Sequence, residues 1–344
     1  MKIDLFFVTP IILLIVFSLI VLNSISPSVF PSYYIYIVLG VIFYLTFSLL
    51  GFEIVSVFAK YLYVISILLL VITLIIGQVT RGTVRWIPIG SFSIQPSEIV
   101  RPFLLIYFAN YISEKRLTIK RLFSAVLLMF IPLLLILVQP SLGVTALTAI
   151  GFLGIFLASE INKKNIFILF AIFLVSLPIV FFALKPYQRD RITAFLDPSK
   201  DPQGVGYNAI QSTISVGSGK LLGRGLGRGV GTQLSFLPER HTDFVFASIS
   251  EEMGFIGSIV LMTLTFLILF RVVGYIENPI NIPARLFLSG FLLTYFAQVF
   301  VHVGMNMGLL PITGIPFPLV SAGGSSLIST MIGLGIVSSS KNRV

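Results

Sequence analysis

Residues 207–252 read YNAIQSTISVGSGKLLGRGLGRGVGTQLSFLPERHTDFVFASISEE. This is the only long polar interruption in a chain otherwise built of apolar runs, and it decides the architecture on either side. It carries a glycine- and arginine-rich run from Gly217 to Gly231, then Pro238-Glu239-Arg240-His241-Thr242-Asp243, then an apolar stretch that begins beside Glu251-Glu252. Carboxylates and guanidinium groups at the mouth of a membrane bundle are costly to keep, which marks them as functional candidates.

Outward from that segment the chain is 56% hydrophobic and only 10% charged, against roughly 25% charged residues in a soluble domain. An all-α integral membrane protein follows. At about 20 apolar residues per span, ten helices are predicted, at 5–23, 32–51, 58–78, 97–112, 122–138, 142–159, 165–185, 244–271, 284–307 and 322–340. They form a single polytopic membrane domain over 1–344, with a large loop at 186–243 between the seventh and eighth helices. The first apolar run lacks a small-residue cleavage site after Asn23, so it is expected to be a retained span. The segment 308–321 has too many prolines and glycines to be helical.

Lysine and arginine in the short loops set the orientation. Lys60, Lys115, Arg116, Lys120, Arg121, Lys163, Lys164, Arg271 and Arg285 fall on one side, with Lys2, Lys341 and Arg343 of the termini; the short loops 24–31, 139–141 and 308–321 on the other carry no charge. The basic side is expected to be cytoplasmic, so loop 186–243 and the loop holding Arg81 and Arg85 face outward. A formal charge of +10 on such a chain suits anionic lipid headgroups or phosphate, and no basic surface is long enough to follow nucleic acid. The absence of cysteine excludes disulfides and thiolate chemistry. With two histidines, a His-rich metal centre is not expected.

The outward loops hold the candidate chemistry. Arg81 and Arg85 read as anion-binding residues on a face otherwise short of charge. Trp86, the single tryptophan, is either an interfacial anchor or a platform for a sugar or lipid headgroup. Glu98 and Arg101, three apart, share one helix face and either form a structural bridge or line a polar cavity. Residues 207–216 suit a short helix on the outer leaflet. The glycine run lacks the complete spacing of a nucleotide-binding loop; it offers backbone N–H groups together with Lys220, Arg224 and Arg228, a set adequate for a pyrophosphate. Asp243, just before an apolar helix, is either a capping residue or a general base at the water–lipid boundary, and Glu239 lies four residues away. Glu251 and Glu252 each need a partner from another element.

Four blocks now carry a resemblance: RWIPIG with IQPSE (85–98), YNAIQSTISVGSG (207–219), FLPERHTDFVFASISEEMGFIG (236–257) and NMGLLPITGIPFPLVSAGGSS (306–326). Together, and in order along the whole chain, they resemble the SEDS family of the RodA/FtsW type. The resemblance implies a ten-helix bundle in the bacterial cytoplasmic membrane, both termini cytoplasmic, that polymerises lipid II into glycan strands on the outer face. It implies a class B penicillin-binding transpeptidase as partner, within a complex of other elongation membrane proteins. It also puts the family's essential acidic position on Asp243, expected to act as base with Glu239 as second choice, while Arg81, Arg85, Lys220, Arg224 and Arg228 hold the diphosphate. A divalent cation (Mg or Mn) is plausible by analogy, with no ligand set evident. Three positions depart from the family pattern: Ser141 stands where an aspartate is usual, Arg101 where a lysine is, and Ala322 where a tyrosine is. The short N-terminus favours the elongation (RodA) branch over the division (FtsW) branch. A lipid II flippase, or a non-catalytic scaffold for the transpeptidase, are the rival readings.

Overall fold

The computed structural model describes residues 4–80, 83–90, 92–115, 118–160, 167, 186–197, 205–234 and 236–341. Helices α1 (Leu5–Ile25), α2 (Phe30–Leu50), α3 (Phe52–Val57) and α4 (Ala59–Ile76) precede three short strands, β1 (Gln78–Thr80), β2 (Thr83–Ile89) and β3 (Phe92–Ile94). Then come α5 (Pro96–Ile99), α6 (Arg101–Ser113), α7 (Ile119–Val138), α8 (Leu142–Ala158), α9 (Pro186–Leu196), α10 (Val205–Ser218), α11 (Val230–Gln233), α12 (Val245–Glu277), α13 (Ile282–Asn306) and α14 (Gly324–Ser339). The protein is an all-α multi-pass membrane bundle, and nine of the ten predicted helical stretches fall on these helices. The tenth, 165–185, lies outside the described residues save for Phe167, as do Arg81, Lys163, Lys164 and Lys185.

Burial is inverted relative to a soluble protein. In α2 and α7 only 22% of the most apolar window is buried, whereas in α13 it is 61%. The outer helices therefore turn aliphatic side chains such as Val38, Leu45, Phe123 and Leu127 toward lipid, and α13 is the central post. Small residues let helices touch it: a methyl on Gly154 of α8 would lie 2.7 Å from the Ser289 carbonyl and 2.9 Å from Gly290 Cα.

The sequence reading departs from the structure at three places. Residues 78–94, expected as loop, form an antiparallel sheet in the order β1-β2-β3. Thr, Val, Trp and Ile at close spacing supply the strand propensity, and Gly90 (φ 62) makes the turn. The span expected at 97–112 is divided at Val100 into α5 and α6. The eighth span is not continuous either, since Gly254 (φ 65, ψ −159) breaks α12. A break exposes backbone groups that lipid cannot satisfy. The glycine run satisfies them: Arg224 and Gly225 N–H donate to the carbonyls of Glu251 and Glu252, and Phe255 and Ile256 N–H donate to those of Lys220 and Leu221, at 2.9–3.2 Å.

At the opposite end of the bundle Asp4 accepts from Arg271 Nη2, from Tyr275 Oη at 2.7 Å, and from Lys341 Nζ at 3.4 Å. This cluster gathers the residue before α1, the last turns of α12 and Lys341, two residues beyond α14. Burial works to raise the Asp4 carboxyl, but the bonds and charges of Arg271, Tyr275 and Lys341 outweigh it and hold it at about 2. Its contribution to stability is therefore whole above the unfolded value of 3.8 and is lost as the pH falls toward 2. Arg271 is 37% exposed, so solvent screening reduces the contribution to about 1 kcal/mol. Thermal unfolding should show Asp4→Asn less stable than wild type at pH 6, with the difference closing between pH 4 and 2.

Candidate functional site

The PERHTDF segment is fixed by its backbone. Glu239 takes a positive φ of 52°, and its carbonyl gathers the N–H groups of Thr242, Asp243 and Phe244 at 3.1–3.2 Å. Its carboxylate accepts from Thr242 Oγ1 at 3.1 Å. The next four carbonyls are each held by a different group. That of Arg240 accepts from Ser248 Oγ (3.2 Å), that of His241 from Ala322 N–H (2.8 Å), that of Thr242 from Ser321 Oγ (2.7 Å) and that of Asp243 from Asn306 Nδ2 (3.0 Å). Such a clamp pre-sets the Asp243 backbone and leaves its side chain to be aimed by χ1 and χ2 alone. Because the His241 contact uses the backbone of Ala322, the departure at that position costs the clamp nothing.

One group of the clamp, Asn306, belongs to α13. Gln298, His302 and Asn306 stand at i, i+4 and i+8 on one face of an otherwise apolar helix, each buried to 2% exposure or less. Gln298 Nε2 donates to the Pro316 carbonyl (2.9 Å) and to Ser326 Oγ (3.1 Å). His302 Nδ1 pairs with the Ile315 carbonyl at 2.7 Å. Asn306 Oδ1 accepts from Ala247 N–H at 3.0 Å, capping α12 from outside, because the N-cap position is Phe244 and has no capping oxygen. Thus one helix holds both the irregular 308–321 segment and the Asp243 turn. Replacing Asn306 by Leu should strand two backbone groups and cost about 3 kcal/mol. It should also lower strand synthesis far more than Thr46→Ala, whose hydroxyl bonds only its own helix at Ile42. Unfolding midpoint and turnover measured together check both.

Around this turn the fold assembles charge from distant parts of the chain. Glu98 and Arg101 are 6% and 4% exposed, and Glu98 lies within Coulombic reach of Arg101, Arg85 and Asp243. Arg101 donates to Gln298 Oε1 at 3.4 Å. Arg85 enters through a β-bulge: Gln78 pairs with Trp86 and Val79 with Val84, so Arg85 is the extra residue of β2, and bulges re-aim side chains next to such sites. The half-buried Trp86 follows it. Ser141, where an aspartate was expected, is buried and bonded to Gln95 Nε2 at 3.2 Å. Arg191 of α9, not singled out as a site residue from the sequence, also arrives here. A methyl on Gly314 would lie 3.4 Å from Asp243 Oδ2 and 3.9 Å from Arg191 Nη1.

Lys220, Arg224 and Arg228 are exposed and are not among the charges that Glu98 senses. Many of the backbone N–H groups around them, expected to be available to a ligand, are engaged within the protein. Besides those sealing the α12 break, Gly231 and Thr232 N–H bind the Glu251 carboxylate at 2.8 and 3.0 Å. Glu252 accepts from Thr232 Oγ1 (3.2 Å), Gln233 Nε2 (3.1 Å) and Ser24 Oγ. The two glutamates thus find partners in the glycine loop that follows α10. Among the described residues no three of His, Asp and Glu stand together as a cation ligand set.

Residues 2–343 match the FtsW/RodA/SpoVE family of cell cycle proteins. The peptidoglycan glycosyltransferase MrdB of Escherichia coli K12 is 40% identical over 284 residues, which cover 82% of this chain and 77% of MrdB. The probable peptidoglycan glycosyltransferase FtsW of Wigglesworthia glossinidia brevipalpis is 37% identical, covering 79% and 73%. Among solved structures, a chain described under "Structural coordination of polymerization and crosslinking by a peptidoglycan synthase complex" superposes with a TM-score of 0.83 at 32% identity, covering 97% of this chain and 96% of that one. The Thermus thermophilus rod shape determining protein RodA gives 0.73 at 26% identity, covering 97% and 95%.

Proposed function

This chain belongs to the FtsW/RodA/SpoVE family of cell cycle proteins, the SEDS family, and from that premise and the geometry around Asp243 we infer how it works. It is a peptidoglycan glycosyltransferase that polymerises lipid II into glycan strands, in the manner of the elongation branch. Lipid II holds its sugar through an α-linked pyrophosphate and the strand is β-1,4-linked, so the anomeric centre inverts in a single displacement. The 4-hydroxyl oxygen of the acceptor sugar bonds to C1 of the donor as the C1–O bond to pyrophosphate breaks. The hydroxyl proton passes to the Asp243 carboxylate, and the electron pair leaves with undecaprenyl pyrophosphate. The observation that carries this reading is a backbone-clamped carboxylate and a guanidinium that both come close to Gly314, with Arg85 and Arg101 nearby. That arrangement suits a base with cations for a departing dianion.

Glu98 is read as orienting Arg85 and Arg101, and Glu239 as shaping the turn that presents Asp243. Trp86 is read as a platform beside Arg85, and Arg81, outside the described residues, is kept as a candidate for the diphosphate. Lys220, Arg224 and Arg228 are kept as a peripheral site for pyrophosphate or anionic lipid. A divalent cation would draw most of its ligands from pyrophosphate and water. The site faces outward in the cytoplasmic membrane, with both termini inside, because Lys60, Lys115, Lys120, Arg121 and Arg285 gather at the other end. A class B penicillin-binding transpeptidase is the expected partner, supported by the synthase complex that the chain resembles.

The test is polymerisation of purified lipid II by the purified protein, with and without that transpeptidase. Strands are the expected product. No strands under either condition, with lipid II still crossing a vesicle bilayer, would make the protein a flippase.

A further inference from the structure

A second feature shares Arg191 with the surroundings of Gly314. Between α9, α10 and residues 307–312 lies a cleft of about 340 Å³. Its walls are mostly apolar, among them Phe195, Ile210, Ile214, Leu310, Pro311 and Ile312, and its one charged lining residue among those described is Arg191. Leu196 and Leu309, next in sequence to wall residues, are 75% and 66% exposed, as befits a rim in contact with acyl chains. Arg191 Nη1 donates to the Ile312 carbonyl at 3.4 Å, which ties the cation to the wall. A guanidinium has five N–H donors, so this bond leaves others for a ligand. The same guanidinium comes close to Gly314, as Asp243 Oδ2 does. Glycine at 314, with φ +69, leaves this space unfilled; any side chain there would be strained and would touch both charged groups.

We propose that this cleft holds the first isoprene units of the donor's prenyl chain, and that Arg191 binds the diphosphate joining that chain to the sugar. The proposal rests on the glycosyltransferase reading above and adds to it where the donor lies. A prenyl diphosphate is an apolar chain ending in a compact polyanion, and it needs an apolar trough that ends in a cation. The trough is flanked by exposed leucines, and its cation is also the one that comes close to Gly314, as the carboxylate read as base does. The donor C1 then sits between Asp243 and Arg191. As the C1–O bond breaks, the negative charge that grows on the diphosphate meets a planar guanidinium, the side chain best matched to phosphate oxygens. The volume accommodates only the start of a long chain, leaving the remainder in the bilayer.

The probe is farnesyl diphosphate with a photoreactive group at the far end of its chain, applied to the full chain in nanodiscs. Crosslinks within 194–195, 209–214 or 307–312, and competition with lipid II in the polymerisation assay, are expected. Arg191→Gln should weaken probe binding at least about tenfold, Arg191→Lys less, and farnesol binding should change little in either. Asp243→Asn should retain probe binding, because that carboxylate serves the acceptor hydroxyl. Crosslinks confined to other surfaces of a protein that still polymerises lipid II would overturn the subsite and leave the enzyme reading standing. Equal competition by phosphatidylglycerol would also overturn it, making the cleft a seat for bulk acyl chains. A cleft-bound, Arg191-dependent probe on a protein that makes no strands would support the subsite and remove the glycosyltransferase reading instead.

Discussion

Asp243→Asn is expected to reduce glycan-strand synthesis by about 10²–10⁴-fold, the usual loss when a general base is removed, while the protein remains folded. The two halves of that expectation come from different atoms. The fold holds residue 243 by its main chain, through Glu239 O and Asn306 Nδ2, and asparagine keeps both of those bonds. The first turn of α12 is capped at Ala247 by Asn306, so the helix start does not depend on the lost charge. What changes is the oxygen that faces the Gly314 gap. An amide there can accept a hydrogen bond but cannot take the proton. Glu239→Gln is the comparison. Its carboxylate bonds Thr242 Oγ1 inside the turn, and glutamine preserves an acceptor at the same place, so the expected loss is about tenfold or less. Lipid II turnover beside an unfolding midpoint for each variant decides the matter. If Glu239→Gln proves the more damaging of the two, the assignment of the base is reversed.

Much of this was legible in the sequence because the membrane imposes simple rules. Apolar runs of about 20 residues have few alternatives to a helix in lipid, and nine such runs fall on described helices. The position of Asp243 before an apolar helix, and the need of Glu251 and Glu252 for partners from another element, were also readable. Less legible was everything that depends on two distant segments meeting. Nothing near Gly254 announces a broken helix, since a glycine inside an apolar run reads equally well as a helix-packing residue. The break is viable only because residues 220–225 return to seal it. The sheet at 78–94 was missed although its β-branched residues hinted at it, because two arginines, two glycines and Pro88 among them read as loop. Gln298, His302 and Asn306 did leave a signal, a four-residue period of polar side chains in an apolar helix. Arg191 left none: its importance comes from Gly314, more than a hundred residues later.

The glycine run gives the sharpest separation between what the sequence suggested and what the fold requires. If its glycines served only to keep a loop supple around a phosphate, alanine at any of them would have a mild and similar effect. The packing predicts otherwise. Gly223 takes φ +78 and a methyl there would lie 2.2 Å from the Glu252 carbonyl oxygen and 2.5 Å from its carbon, both backbone atoms that cannot swing aside. Gly223→Ala must therefore lift the loop off the break in α12. That strips the Arg224 and Gly225 bonds from the Glu251 and Glu252 carbonyls and disturbs the seat of both carboxylates. Positive φ alone costs about 1 kcal/mol in a residue with a Cβ. Two or more buried backbone groups left unpaired add about 1–3 kcal/mol each, so a loss of about 3 kcal/mol or more is expected, a large fraction of the stability of a typical domain. Six residues earlier, Gly217 lies in α10 with nothing within 4 Å of the position its methyl would take. There alanine should be neutral or stabilising by up to about 1 kcal/mol, from helix propensity. Expression yield and unfolding midpoint in detergent for the two variants are the measurement. Equal, mild effects would return the run to the role of a flexible cradle, whereas collapse at 223 beside tolerance at 217 identifies it as the backbone plug that lets Glu251 and Glu252 stay buried at the top of the bundle.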